Sequence, residues 1–222
     1  ETLGGPECLR LQDVSIPTPN EKDLLIAVHG SGVNFADLLI IRGDYQERPT
    51  LPFTPGVEIA GEVLEIGRRV SGFSPGDRVM ARVDLGGYAE RAVVRAADAI
   101  LIPEEMETIV AAGFPIAYGT AHVALAHRAR LEAGEVLLVH GAGGGVGLAA
   151  VEVGKALGAT VVAAAGSDNK LALAKAHGAD QLINYTTESV RERVKTTVGG
   201  VDVVFDPVGG AAFDASLRCL KF

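Results

Sequence analysis

The residues that most sharply define a chemistry are Ala142-Gly143-Gly144-Gly145-Val146-Gly147. This run fits the dinucleotide-binding fingerprint with alanine in place of the first glycine. At Gly144 the missing side chain lets the backbone approach a pyrophosphate, and at Gly147 it lets a helix close onto the preceding strand. Amides at the start of that helix, with the positive end of its dipole, would face the phosphates. Ala142, Gly144, Gly145, Val146 and Gly147 are therefore expected to line a dinucleotide site. A turn that collects glycine for steric reasons alone looks the same in isolation, and the flanks decide between the two. Residues 136–139 are an apolar run of strand length, Val146, Ala149, Ala150, Val153 and Leu157 share one helical face, and residues 160–165 form a second apolar strand, together a βαβ unit.

Which dinucleotide is read from the tip of the second strand. An NAD site carries Asp or Glu there, about 20 residues beyond the glycine turn, to accept from the ribose hydroxyls. Here the tip reads Ala164-Ala165-Gly166-Ser167. A 2′-phosphate would meet no carboxylate, and Ser167 and Lys170 can bond to it, which favours NADPH over NADH. Asp168 opposes that choice, and Lys170 has a second reading as a solvated helix lysine. Asp206-Pro207-Val208-Gly209-Gly210 follows a later strand at its C-terminal end, where ligands of such sheets lie. It either lines the nicotinamide half of the site, Val208 included, or is a structural turn.

The elements that must position these residues follow from the chain's texture. From about residue 104 it reads as helices over 106–114 and 117–130. Strict alternation follows: strand 136–139, helix 146–157, strand 160–165, helix 168–177, strand 181–184, helix 187–197 and strand 201–205. That predicts a doubly wound parallel sheet. Gly158 and Gly178 stand where helices end, and Ser167 or Asp168 can cap the helix between them. Before residue 104 come short strands, 24–29, 57–66, 77–83, 88–94 and 99–102, bounded by turn formers such as Gly67 and Pro75-Gly76. They predict a small antiparallel barrel or sandwich, interrupted by a short helix over 34–41 and a proline-rich loop over 48–55. The expected domains are 1–113 and 114–222. Strand 201–205 should pair beside strand 136–139, after which one helix runs to Phe222. An apolar strand left at an open edge is an aggregation hazard, so the chain is expected to be part of a longer protein.

Composition bounds the rest. At 222 residues, 48% hydrophobic, the chain can build a sizeable core. Twenty basic against 28 acidic residues give a net charge of −8, which argues against a general nucleic-acid surface. Cys8 and Cys219 are far apart, without metal or disulfide spacing, and a reduced, cytoplasmic setting is the simplest expectation. The opening residues do not read as a leader, and no apolar run approaches the roughly 20 residues of a membrane helix. His29, His122, His127, His140 and His177 are scattered without ligand spacing.

Asn34-Phe35-Ala36-Asp37-Leu38, Arg42-Gly43-Asp44-Tyr45, the run Pro52-Phe53-Thr54-Pro55-Gly56-Val57-Glu58-Ile59-Ala60-Gly61 and the glycine turn together resemble the zinc-independent NADPH:quinone oxidoreductases of the medium-chain dehydrogenase/reductase superfamily. The resemblance runs through essentially the whole chain. It implies a GroES-like β-barrel catalytic domain followed by a Rossmann domain, here incomplete at its C-terminus, NADPH as cofactor, and a homodimer when intact. Zinc-dependent relatives carry a Cys where this chain has Asn34 and a Gly-His-Glu motif where it has Gly56-Val57-Glu58. With two ligands and the four-cysteine structural site missing, no metal is expected. Without a Lewis acid the acceptor must take hydride readily, as a quinone or activated enone does, because the added charge is delocalised.

The resemblance also implies roles. Asn34 would donate a hydrogen bond near the developing oxyanion, or else cap its own helix. Tyr45 would line the acceptor or relay a proton, or else anchor its loop. Tyr185 would join Ser167 and Lys170 around the adenosine phosphate, and Gly119-Thr120 would approach the nicotinamide. The expected activity is NADPH-dependent reduction of a small-molecule quinone. An enoyl or alkenal reductase and a non-catalytic NADPH-binding module are the alternatives.

Overall fold

A computed structural model of the chain describes residues 2–221. It falls into two compact units, one up to Ile116 and one from Ala117, so the division lies three residues past that read from the chain's texture.

The first unit is built on five strands: β1 (Asp23–Ser31), β2 (Glu58–Ile66), β3 (Arg78–Arg82), β4 (Arg91–Arg95) and β5 (Ala99–Leu101). They form an antiparallel sheet in the order β4-β1-β2-β3-β5. Alternation places Leu24 and Ile26 of β1, Ile59 and Val63 of β2, Val79 and Ala81 of β3, and Ala92 and Val94 of β4 in one buried core. Ala60 and Met80, on the opposite face, pack with Ala111 and Ala112 of the short helix α2 (Thr108–Ala112). Helix α1 (Phe35–Arg42) follows β1 and ends at Gly43, whose positive φ of 78° lets it close the last turn. The strand read over 88–94 begins only at Arg91. Tyr88 and Gly87 give their N–H groups to the carbonyls of Pro55 and Gly56, so this stretch is tied to the proline-rich loop instead of a ladder.

The second unit contains β6 (Val136–His140), α4 (Gly145–Ala156), β7 (Thr160–Ala165), α5 (Asp168–Ala176), β8 (Gln181–Asn184), α6 (Val190–Thr197), β9 (Val203–Phe205) and α7 (Ala211–Leu217). Its strands are parallel, in the order β8-β7-β6-β9. All five residues of β6 are buried, because the sheet is covered on both faces. Leu137, Val139, Val161 and Ala163 enter one core with Ala149 and Ala150 of α4 and Ala174 of α5. Val136, Leu138, Val162, Ala164 and Ile183 enter the other, with Val190 and Val194 of α6. A doubly wound sheet results, as the alternation of elements predicts.

Several boundaries differ from those read in the sequence, each for a local reason. The helix read over 117–130 starts earlier, as α3 (Phe114–His122), and continues as a π-helical stretch over Val123–Ala129 that Arg130 ends in a left-handed conformation. The helix read from residue 187 begins at Val190, because Thr186 and Thr187 are bonded back to Asn184 and Ser189 supplies the cap. Val201 and Asp202 stand outside β9: Asp202 accepts the Val136 N–H at 2.8 Å through its side chain, and Val201 bridges to Leu220. The last helix ends at Leu217, and Phe222, where it was expected to end, lies outside the described residues. Among the described residues no helix is long and apolar enough to cross a membrane.

Candidate functional site

In the parallel-sheet unit the site is built from loops at the C-terminal ends of β6, β7, β8 and β9. The turn after β6 opens at Gly141, which holds a positive φ of 59°, and leads through buried Ala142 to α4, whose N-cap is Gly144. A side chain at Gly147 would collide with the Gly141 carbonyl oxygen and come within 2.9 Å of the Ala142 Cα, so the close approach of helix to strand requires glycine. Gly145 is different. A Cβ there meets nothing within 4 Å, so the space in front of the helix start is open. No side chain caps Gly144, which leaves the first-turn amides of a 12-residue helix available to an anion.

The loops around this turn bring most of the expected residues together. Ser167 is the N-cap of α5, its Oγ accepting the Lys170 N–H at 3.5 Å, and its hydroxyl proton remains free to be donated. Lys170 itself is exposed, and its stem packs on the glycine turn: a Cβ at Gly143 would lie 2.5 Å from the Lys170 Cβ. The Tyr185 ring lies against Gly166, its hydroxyl 3.0 Å from where a Cβ would stand. Val208 packs in the same way over Gly141, at 3.2 Å. The loop carrying Val208 is pinned by Asp206, whose Oδ1 accepts the N–H groups of Val208 and Gly209 at 2.8 and 2.9 Å. Asp168, the carboxylate just past the strand tip, accepts from the Asn184 side-chain amide at 2.8 Å. The cradle thus offers free amides, a hydroxyl and a lysine, and fits a dinucleotide with an added phosphate. Thr120 is exposed on α3.

Beneath the turn lies a buried polar pair with no signal in the sequence. His140, 1% exposed at the end of β6, meets the Ser216 Oγ of α7 through Nε2 at 2.7 Å. The Ser216 hydroxyl donates to the Ala212 carbonyl at 2.8 Å, so the imidazole must be the donor in that contact. Burial pushes the His140 pKa below its ordinary value, with the nearby Asp206 charge pulling the other way.

In the antiparallel unit, Asn34 is the N-cap of α1, in a capping box with Asp37, whose carboxylate accepts the Asn34 N–H at 2.8 Å. The Asn34 side chain also reaches β2, its Nδ2 donating to Glu58 Oε1 at 2.7 Å. Glu58 is 1% exposed, and its other oxygen accepts the Ile116 N–H at 2.9 Å. Burial pushes the Glu58 pKa up, against the lowering pull of the Ile116 and Asn34 hydrogen bonds. The Tyr88 hydroxyl, buried near Asp37 and Glu58, is pushed above its ordinary range by burial and by those carboxylates. The spacing Asn34-x-x-Asp37 could have signalled the capping box, whereas the Asn34–Glu58 bond spans 24 residues and leaves no local trace. Tyr45 lies beyond α1, 37% exposed, and among the described residues no hydrogen bond ties it to Asn34. No group of three or more His, Cys, Asp or Glu side chains among the described residues is arranged to hold a metal ion.

Comparison with known proteins agrees with this architecture. Residues 20–104 match the family described as alcohol dehydrogenase GroES-like domain, and residues 145–222 match that described as zinc-binding dehydrogenase. The chain is 44% identical over 217 residues to rat (Rattus norvegicus) quinone oxidoreductase-like protein 2, a match covering 96% of this chain and 62% of the relative. It is 38% identical to the quinone oxidoreductase of Sus scrofa, covering 99% of this chain and 68% of that protein. The crystal structure of Escherichia coli quinone oxidoreductase complexed with NADPH superposes with a TM-score of 0.92 at 35% identity, covering 99% of this chain and 68% of that one. The chain thus spans between three-fifths and seven-tenths of the length of these relatives. With both domain types in order and this identity along nearly its whole length, the chain belongs to the quinone oxidoreductase family of the medium-chain dehydrogenase/reductases.

Proposed function

We propose that the full-length protein reduces quinones by hydride transfer from NADPH, without a metal, and that this chain carries both its cofactor cradle and side chains that face the acceptor. The observation that carries the reading is the strand tip after β7: no acidic residue ends the strand, the Asp168 side chain that follows accepts from the Asn184 amide, and Lys170 is laid across Gly143. The NADPH complex named for the Escherichia coli relative supports it.

When bound, NADPH supplies the hydride. The residues of the chain bind and orient. Ala142, Gly144, Gly145, Val146 and Gly147 present backbone to the pyrophosphate, and Ser167, Lys170 and Tyr185 receive the 2′-phosphate end. Val208 and Thr120 border the nicotinamide end. Asn34 offers an N–H to the acceptor oxygen on which charge develops, and Tyr45 lines the acceptor or relays a proton. A quinone spreads the incoming charge over oxygen and ring carbons, so donors of this kind suffice. The same reading takes the full-length protein to be a cytoplasmic homodimer.

The test is steady-state NADPH consumption by the full-length protein, with a simple para-quinone in one series and an alkenal or enoyl thioester in another. Saturable turnover of the quinone supports the proposal. Turnover confined to the enoyl series would replace the acceptor class, and cofactor binding without turnover of either would leave a binding module.

A further inference from the structure

The bond between Asn34 and Glu58 fixes which way the Asn34 amide points, and the reading of Asn34 as a donor to the acceptor oxygen depends on that direction. An asparagine amide can present either its oxygen or its nitrogen, and the two ends differ in every hydrogen bond they make. Here the choice is determined by a chain of obligatory partners. The Ile116 N–H donates to Glu58 Oε2 at 2.9 Å, which holds the carboxylate, and Oε1 then accepts from Asn34 Nδ2 at 2.7 Å. A carboxylate accepts only, so the nitrogen end of Asn34 must face it. On its other side Asn34 closes the capping box of α1 with Asp37, where the helix presents an N–H and needs an oxygen. One Nδ2–H is left. It is the polar group that the Asn34 side chain can offer outward, and it is a donor.

The surroundings are shaped to hold the carboxylate in place. Glu58 is 1% exposed although it lies at the start of β2, and a side chain at Gly32 would collide with Oε1 and lie 2.6 Å from the Glu58 Cδ and 2.9 Å from the Ala112 carbonyl oxygen. Gly32 therefore leaves the space that the carboxylate fills. A buried charge costs several kcal/mol unless hydrogen bonds replace its lost hydration, and both oxygens of Glu58 accept one.

We propose that Glu58 is a positioning residue for the reaction: its clamped carboxylate fixes the Asn34 amide with the nitrogen end in place, so that the second Nδ2–H is presented to the carbonyl oxygen of the acceptor. This rests on the reading of Asn34 as a group that faces the acceptor.

Glu58→Gln tests it with little change in shape. The Ile116 N–H still needs an acceptor, which only the glutamine oxygen can supply, so the glutamine NH2 is turned on Asn34 donor against donor. The expected result, measured on the full-length protein, is a fall in kcat/KM for the quinone of about 10- to 100-fold, with the affinity for NADPH in fluorescence titration unchanged. In an Asn34→Ala background the same substitution should add nothing further, because its effect passes through Asn34. Gly32→Ala displaces the carboxylate without removing its charge and should lower kcat/KM in the same direction. A readout independent of activity is the Asn34 side-chain amide in NMR: one of its two protons should lie strongly downfield in the native protein and lose that shift in Glu58→Gln. If Asn34→Ala is inactive while Glu58→Gln keeps native kcat/KM, or if Glu58→Gln lowers activity equally in both backgrounds, positioning by Glu58 is wrong and the role of Asn34 stands. If Asn34→Ala itself leaves kcat/KM intact, the reading of Asn34 fails and this inference falls with it.

Discussion

The stem of Lys170 lies across Gly143, so close that an alanine Cβ there would sit 2.5 Å from the lysine Cβ and 2.8 Å from its Cγ. Helix α5 and the glycine turn are thereby fitted to each other, and the lysine that the strand-tip chemistry singles out is held beside that turn. Two substitutions separate the contact from the charge. Lys170→Ala should weaken NADPH about tenfold, the worth of one charge-assisted hydrogen bond at an exposed site, and leave NADH unchanged. Gly143→Ala should weaken both cofactors, because it moves the turn as well as the lysine. Fluorescence titration with each cofactor distinguishes the two patterns.

Gly147→Ala should be the more damaging glycine substitution. Its Cβ would meet the backbone of Gly141 and Ala142, which cannot rotate away, whereas a Cβ at Gly145 would meet nothing. A loss of about 1–3 kcal/mol in urea unfolding is expected at Gly147, and little at Gly145. Equal stability in the two variants would show that α4 does not need its close seat on β6.

The centre of the parallel sheet should be sensitive to lost volume. Leu138 is fully buried, with Val162, Ala164 and Ile183 around it. Leu138→Ala should cost about 2–5 kcal/mol, measured by the same unfolding.

His140 makes stability depend on pH. Burial holds its pKa below the ordinary value of 6.5, so the native state keeps the ring neutral while the unfolded chain takes up a proton more readily. The contribution is fully present above about pH 6.5 and fades as the pH falls below it. Melting temperature should therefore drop between pH 6.5 and 5, and His140→Asn should flatten that drop. A native protein whose stability is level across the window would contradict it.

How legible all this was in the sequence depended on the range of the interactions. The strands at 160–165 and 181–184 and the glycine turn between β6 and α4 are coded locally, by apolar runs, cap residues and glycines, and the structure has them where the sequence places them. Strand β4 started late because a loop-to-loop pairing of Tyr88 with Pro55 captured residues that look strand-forming. The buried partners were invisible for the same reason. Glu58 binds an amide 24 positions away and His140 a hydroxyl 76 positions away, and only the fold brings them together. At Asn34 the cap and the bond to Glu58 occur in the same side chain.

The measurement that tests the account most directly is the initial rate of reductant consumption by the full-length protein with a para-quinone, NADPH and NADH compared at equal concentration in the presence of a chelator. The account predicts turnover that survives the chelator and favours NADPH by at least about tenfold, through Ser167 and Lys170. Equal use of NADH, or activity abolished by the chelator, would contradict it.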